Sequence, residues 1–349
     1  MVPAPVDAQD IRILLGYLDP ARLQDLHLEE TVGVKEGRAG VSGLPGSGRI
    51  QDGTILTAPE GHQLLWQGKP YRGRLEFRKS QDGRFALVNS LPLEDYLYGV
   101  LSSEMDPKTW PLEALKAQAV VSRSYALDRM ESFERQIFHA AADTQHQVYW
   151  GSTLEHDQAW EAVDATRDEA LSDREGRILP SFFHSTCGGR TEDARLVWSP
   201  EARDDLVGVS DGSYCRSSPN YAWLTAIPEK DLVAGLERLG FETGGRVKTL
   251  RFGEITRSSR SQTLKVRSGE GRHEVPLAKL RTVLGPNWIR STRITRIERK
   301  GDRFVLYGQG WGHGVGLCQW GARGMAQRGA SYKEILKHYF PKAHLTNIK

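Results

Sequence analysis

Between residues 91 and 105 the chain reads LPLEDYLYGVLSSEM, and Leu93, Tyr96, Leu97, Val100 and Leu101 recur at i, i+3, i+4, i+7 and i+8. That spacing predicts an amphipathic helix with one buried stripe. Glu104 occupies the next position of the same stripe. A carboxyl on an apolar face, at the negative end of the helix dipole, is expected to hold its proton. A sheltered, protonated carboxyl is what a general acid requires. The competing expectation is a frayed last turn that swings Glu104 into solvent.

On either side of this helix the period changes. Residues 11–90 predict β-structure, in short runs (RILLGYL, ILTAPE, HQLLWQG, RGRLEFRKS, RFALVNS) broken at Asp52-Gly53, Gln67-Gly68 and Asp82-Gly83. The glycine-rich stretch 37–48 predicts an exposed loop. A second helix is expected from 111 to about 130, with Pro111 in its first turn and Glu113 near the positive dipole end. Residues 156–171 predict a third helix through Ala159, Ala162, Val163, Thr166 and Ala170, and 177–184 a strand feeding a Gly-Gly turn. A short helix over 229–240 precedes a β meander over 248–309, which holds a small helical piece near Leu277–Leu284. The last segment is glycine-rich, then helical, opened by the capping box Ser331-Tyr-Lys-Glu334 and stopped by Pro341.

The expected fold class is therefore α+β, with β-rich N-terminal and C-terminal segments around a helical catalytic core. Residues 1–10 form a disordered or leader-derived tail in this scheme. The region 11–349 follows in four parts: 11–90 β-rich, 91–228 the helical core, 229–309 a β-rich insertion, and 310–349 a glycine-rich loop and helix completing the core.

At 349 residues, 26% charged and 39% hydrophobic, the chain can bury a sizeable core and matches soluble globular proteins. A net charge of +3 is too mild to argue for nucleic acid, yet compatible with an anionic polymer such as cell-wall glycan. No apolar run approaches the roughly 18–20 residues that span a bilayer. The start, MVPAPVDAQD, carries neither the basic nor the apolar region of a signal peptide, so a cytoplasmic protein or a mature form without its leader is expected.

Three further segments could carry chemistry. DTQHQVYWG (143–151) sets Asp143, Gln145, His146 and Tyr149 together; aromatic and amide groups suit carbohydrate, although an ordinary surface loop explains the segment equally. FFHSTCGGRTED (182–193) places His184 and Ser185 before Cys187. A thiol nucleophile and a metal ligand pair are both conceivable there. Metal sites need three or four ligands, however, and Cys215, His313 and Cys318 are distant in sequence, so no metal is expected. A Cys187–Cys215 bridge would stabilise by about 3 kcal/mol on loop entropy. Bridge, free thiols and zinc all stay open. GQGWGHGVGLCQWGARG (308–324) has glycines that permit positive φ and close approach to a ligand, but it lacks the Gly-Lys-Ser/Thr ending of a phosphate cradle. Trp311, His313, Gln319 and Trp320 offer rings and hydrogen-bonding groups there.

These segments together, with PLEALKAQAVVSRSYAL and GARGMAQRGASYKEILKHYF, resemble the sporulation stage II protein D and amidase-enhancer (LytB) family of bacterial cell-wall proteins, from about residue 11 onward. The resemblance implies a cofactor-free lytic transglycosylase. It would cleave the MurNAc-GlcNAc bond of peptidoglycan glycan strands, preferably peptide-free ones, and leave 1,6-anhydro-MurNAc ends. The family's catalytic acid lies in the Glu-Met pair that ends the first helix, here Glu104-Met105. Some members hold zinc on a His–Cys–Cys cluster with close cysteine spacing, a pattern from which Cys187 and Cys215 depart.

Tyr149, His184, Ser185, His313 and Gln319 are the residues expected to line a sugar groove. Lys116, Gln118, Ser122 and Arg123 of the second helix either face the same cleft or pack. Glycan strands and an N-acetylmuramoyl-L-alanine amidase are the expected partners, without nucleic acid, and an exported, periplasmic or envelope location follows from that substrate. A non-catalytic amidase activator or glycan-binding protein is one rival reading, and a metal-dependent hydrolase another.

Overall fold

The computed structural model describes residues 10–20, 32–35, 50–58, 62–143, 146–199 and 203–349. The fold is α+β, with helices interleaved among several small sheets. The stretch 37–48 and residues 1–9 of the expected tail lie outside the described residues. By its contacts the chain divides into two units, 1–181 with 344–349, and 182–343.

In the first unit the short runs become strands: β1 (Ile11–Leu18), β2 (Val32–Lys35), β3 (Thr54–Thr57), β4 (Gln63–Trp66), β5 (Lys69–Tyr71), β6 (Arg74–Lys79) and β7 (Phe85–Leu91). The turns foreseen at Asp52-Gly53, Gln67-Gly68 and Asp82-Gly83 are all present, each with its glycine at positive φ. The main sheet runs β3-β6-β7-β1 with antiparallel pairing, and β8 (Ala140–Ala141) joins β1 in parallel. Lying between β6 and β1, β7 is buried from Ala86 to Leu91. A partly separate antiparallel sheet holds β2, β4 and β5.

Helix α1 (Leu93–Glu104) buries Tyr96, Leu97, Val100 and Leu101, the stripe its period predicts. Helix α2 (Leu112–Ser132) is buried around most of its circumference, because α1, α3 (Asp157–Ala165) and β9 (Glu169–Ser172) all pack on it. Most of its interior polar groups are paired, the buried Gln118 Oε1 excepted. Arg123 is fully buried and its guanidinium grips Glu94 at 2.7 and 2.8 Å, donating also to the Glu169 carbonyl at 3.0 Å. Ser124 donates to the Val120 carbonyl at 2.7 Å and accepts the Leu171 N–H at 2.8 Å. Gln118 and Ser122 are fully buried and bonded to each other at 3.0 Å, while Lys116 pairs with Glu113 at 2.8 Å. Packing accounts for this face of α2.

One expected helix is shortened. The apolar spacing of 156–171 runs on to Ala170, but α3 ends at Ala165. Thr166 turns its hydroxyl back onto the Ala162 carbonyl at 2.9 Å, and Asp168 then adopts φ +64°. The chain continues as β9, whose antiparallel partner is β18 (His344–Asn347), with Leu171 opposite Leu345. Likewise, of the strand expected over 177–184, an Ile178–Ser172 bridge and the two residues of β10 (Phe183–His184) are formed.

The second unit holds two antiparallel three-stranded sheets, β11-β16-β15 and β12-β13-β14, from β11 (Ala222–Pro228), β12 (Val247–Phe252), β13 (Thr263–Ser268), β14 (Arg272–Pro276), β15 (Ile294–Lys300) and β16 (Arg303–Gln309). Helices α5 (Glu229–Arg238) and α6 (Leu277–Leu284) share with them a core built on Trp223, Leu232, Leu236, Leu264, Leu280 and Phe304. The meander and the small helix thus stand where their periods place them. Short α4 (Ala194–Val197) lies between β10 and β11. β17 (Leu317–Cys318) runs parallel to β10 and leads straight into α7 (Gln319–Ala326). α8 (Tyr332–Tyr339) begins with the complete Ser331–Glu334 capping box. Helix α7 occupies sequence that reads as glycine-rich loop. Its Gly324 has a physical cause, since a Cβ there would stand 2.2 Å from the Tyr214 carbonyl oxygen of the adjoining 3-10 turn, Tyr214–Ser217. No helix among the described residues is long and apolar enough to cross a membrane.

Candidate active site

In the first unit, Glu104 forms the last turn of α1, partly buried, and its Oε1 accepts the backbone N–H of Val148 at 2.7 Å. The loop that brings Val148 there is anchored on both sides. Gln147 is fully buried; its Oε1 accepts the Tyr96 hydroxyl at 3.0 Å and its Nε2 donates to the Ser122 carbonyl at 3.4 Å. Tyr149 is 4% exposed, donates its hydroxyl to Asn89 Oδ1 at 2.8 Å, and packs its ring on Tyr96 and Tyr71. Two inward side chains thus leave the peptide of Val148 facing the helix end. Gly99 makes the approach feasible: a Cβ there would lie 2.5 Å from the Gly151 carbonyl oxygen and 2.7 Å from the Tyr149 ring.

The Val148 N–H thus fixes the orientation of the Glu104 carboxyl group at the end of α1. Of the other loop residues, Asp143 is exposed and lies 3.3 Å from His146 Nδ1, while Gln145 lies outside the described residues. The burial of Tyr149 gives it a packing role under the loop.

The second unit holds His184 and His313. His184 Nδ1 lies 3.0 Å from the Val315 carbonyl oxygen, which can only accept, so Nδ1 carries the proton and Nε2 the lone pair. That buried Nε2 has no partner among the described residues. Burial, reinforced by His313 and Arg260, holds the His184 pKa well below the usual histidine range. His313 is partly exposed, accepts the Val315 N–H at 3.0 Å through Nδ1, and has its pKa lowered to about 4 by burial. Its ring neighbours are His184 at 5.5 Å, Trp198 at 5.4 Å and Phe182 at 6.2 Å between centroids. Trp198 keeps 47% of its surface exposed. Ser185 is partly buried with its hydroxyl 3.3 Å from that of Thr186, and Gln319 is only 6% exposed with Nε2 unpaired among the described residues. Of the five residues expected to line a sugar groove, His313 and Ser185 therefore keep open surface, whereas Tyr149, His184 and Gln319 lie inside. The aromatic neighbour Trp198 escaped sequence reasoning because a lone tryptophan in ARLVW carries no spacing signal.

The glycine run 308–316 explains itself by packing. A Cβ on Gly316 (φ +72°) would meet the Phe182 carbonyl oxygen at 2.1 Å, and one on Gly314 (φ +92°) would meet the Arg260 guanidinium at 2.5 Å. The close approach is made by the chain to itself.

Cys187, Cys215 and Cys318 are free thiols and all buried, with Cys187 Sγ 3.5 Å from Cys215 Sγ. Distance along the chain argued against a ligand set; in space the three sulfurs and a carboxylate oxygen of Asp211 lie within 4.8 Å of one another. Neither His184 nor His313 belongs to that group. Burial pushes the Cys187 and Cys318 thiols up, while hydrogen bonds from both push Cys215 down. Burial also lifts Asp211 to about 7.

A family model described as Stage II sporulation protein (SpoIID) matches residues 81–172, the span from β6–β7 through the Glu104 helix to β9. Over 312 residues the chain is 33% identical to an uncharacterized protein of Brachyspira hyodysenteriae, covering 89% of this chain and 81% of that one. It is 31% identical over 268 residues to Stage II sporulation protein D of Bacillus subtilis, covering 72% of this chain and 74% of that protein. Against the Amidase enhancer of Bacillus subtilis the identity is 29% over 294 residues, 72% of this chain but 40% of the longer relative.

Proposed function

The chain belongs to the stage II sporulation protein D family, whose members act at the bacterial cell wall, and on that premise we propose that it is a lytic transglycosylase of peptidoglycan glycan strands. The observation that carries the reading is the Glu104 carboxyl, partly sheltered at the end of α1 and fixed through one oxygen by the Val148 N–H. Fixed orientation is what proton transfer to a glycosidic oxygen demands. The protonated acid donates to the O4 of the departing GlcNAc as the C1–O4 bond of MurNAc breaks. The carboxylate so formed takes the proton of the same MurNAc's 6-hydroxyl while O6 closes onto C1. The acid is regenerated and the product carries a 1,6-anhydro end. Internal attack by O6 replaces both the water and the second carboxylate of a hydrolytic glycosidase. In the second unit, the surface offered to a sugar is His313 with exposed Trp198, whose ring face suits the CH face of a pyranose. The substrate places the protein outside the cytoplasm, at the envelope.

Incubation with peptide-free glycan strands, with termini read by mass spectrometry, tests the proposal. Anhydro ends are expected from the parent protein. The Glu104→Gln variant should keep its circular dichroism and melting profile and lose at least about 10²–10⁴-fold in rate, the share a general acid supplies. A variant that cuts at the parental rate removes Glu104 from the chemistry. The relation to the amidase enhancer favours one alternative, a non-catalytic activator of an amidase; intact strands with stimulated amidase turnover would establish it.

A further inference from the structure

We propose that Cys187, Cys215, Cys318 and Asp211 form a closed tetrahedral site for a single zinc ion in the second unit. The four residues come from the turn after β10, the 3-10 segment with its preceding loop, and the end of β17; the cysteines are 28 and 131 residues from Cys187. Chance packing of three thiols and a carboxylate in a dry interior is costly, since each polar group loses water without gaining a strong partner. A divalent ion removes that cost. With zinc–sulfur bonds of about 2.3 Å, tetrahedral geometry sets sulfur–sulfur separations near 3.8 Å. The 3.5 Å between Cys187 and Cys215 is close to that value, and all four ligand atoms lie within 4.8 Å of one another. The Cys187–Cys215 separation is much longer than the roughly 2.05 Å of a disulfide.

The sulfurs accept backbone N–H groups, as the thiolate ligands of a metal do. Cys187 Sγ accepts the Gly189 N–H at 3.3 Å, Cys318 Sγ accepts the Cys187 N–H at 3.2 Å, and Gly188 N–H bonds to Cys215. Asp211 is oriented from both sides, by the Tyr339 hydroxyl at 2.5 Å on Oδ1 and the Cys215 N–H at 2.8 Å on Oδ2. Such outer contacts fix ligands of structural metals. Charge balance supplies an independent observation. Three thiolates and a carboxylate around Zn²⁺ leave a net charge of −2. Beside them the 2% exposed Arg260 donates Nη2 to the Cys187 carbonyl at 2.9 Å, with Nε and Nη1 unpaired among the described residues. Beside neutral thiols the buried guanidinium would have only the charge of Glu192 to offset it; beside a zinc–thiolate centre it is compensated further.

The site is independent of glycan cleavage, and Glu104→Gln is expected to hold the same zinc. The test uses the full chain, produced without a metal-binding tag, with metal content read by plasma mass spectrometry and thiols titrated in denaturant. One zinc per chain is expected, with three thiols titrating once a chelator is added. Cobalt(II) in its place should give a sulfur-to-cobalt charge-transfer band and intense visible d–d bands. Stripping the metal should lower the melting midpoint by about 10 °C or more, since structural zinc binding is folding free energy. Cys318→Ser should abolish binding. Tyr339→Phe keeps the ring in place and should weaken zinc by about 10–100-fold in a chelator competition. Three titrating thiols with no zinc taken up on reconstitution, or a single titrating thiol from a Cys187–Cys215 bridge, overturns the site.

Discussion

His139 shows what burial does to one side chain. Its Nδ1 accepts the Arg12 N–H at 3.0 Å, and its backbone N–H donates to the Arg12 carbonyl at 2.8 Å. Burial first, then the charges of Arg12 and Arg129, lower its pKa to about 4. An unfolded histidine titrates near 6.5. The folded value is the lower one, so on acidification the unfolded chain takes the proton first. Stability from this group is complete above about pH 6.5 and is lost progressively towards pH 4. Between pH 7 and pH 5 the loss should be about 2 kcal/mol in urea unfolding. His139→Asn should flatten that part of the slope; parallel slopes for parent and variant would refute the assignment. Residues differ in how openly the sequence declares them. Glu104 stands out because its neighbours at i−3, i−4, i−7 and i−8 are apolar. Arg260 and Asp211 sit in polar stretches, and burial through long-range packing leaves no mark on local spacing.

At the level of elements, the helix and strand periods of the sequence are reliable wherever one face alone is buried. α1, α5, α6 and α8 match their expected spans within a residue or two. The failures have local causes. β9 continues the apolar spacing of α3 by coincidence, and α7 tolerates glycines that cost about 1 kcal/mol each in helix propensity because the Tyr339 and Asp211 side chains crowd Gly321 and the Tyr214 backbone crowds Gly324. The junction of α1 with the Val148 loop depends on the same device. Gly99→Ala would push a methyl into the Gly151 carbonyl and the Tyr149 ring, for a destabilisation of about 1–3 kcal/mol. Displacing the Val148 N–H from Glu104 by about 1 Å should slow glycan cleavage by about 10²-fold. Thermal melts and the glycan assay on the same preparation measure both; unaltered cleavage would mean that the loop does not position the acid.

Across the whole molecule, the α+β class was legible in the chain, whereas strand order was not. Nothing in the amino acids 344–347 announces a strand: HLTN has no alternation long enough to register, and its partner β9 is buried for reasons that lie in α2. The same distance hid the cysteine cluster, whose members acquire meaning from one another and not from their neighbours. Removing residues 344–349 should destabilise the first unit by about 1–4 kcal/mol, at roughly 0.2–1 kcal/mol for each of the cross-strand pairs lost. Hydrogen exchange at Glu169–Ser172 would register the exposed edge, and unchanged protection there would contradict the pairing.

The β9–β18 ladder also orders events on the ribosome. The sheet, helices and loop that hold Glu104 emerge early, yet their last strand is translated only after all of 182–343 has been made. During that interval the edge of β9 is open to other extended chains, a hazard for any nascent polypeptide. The half of the protein that is synthesised first is the half that is finished last.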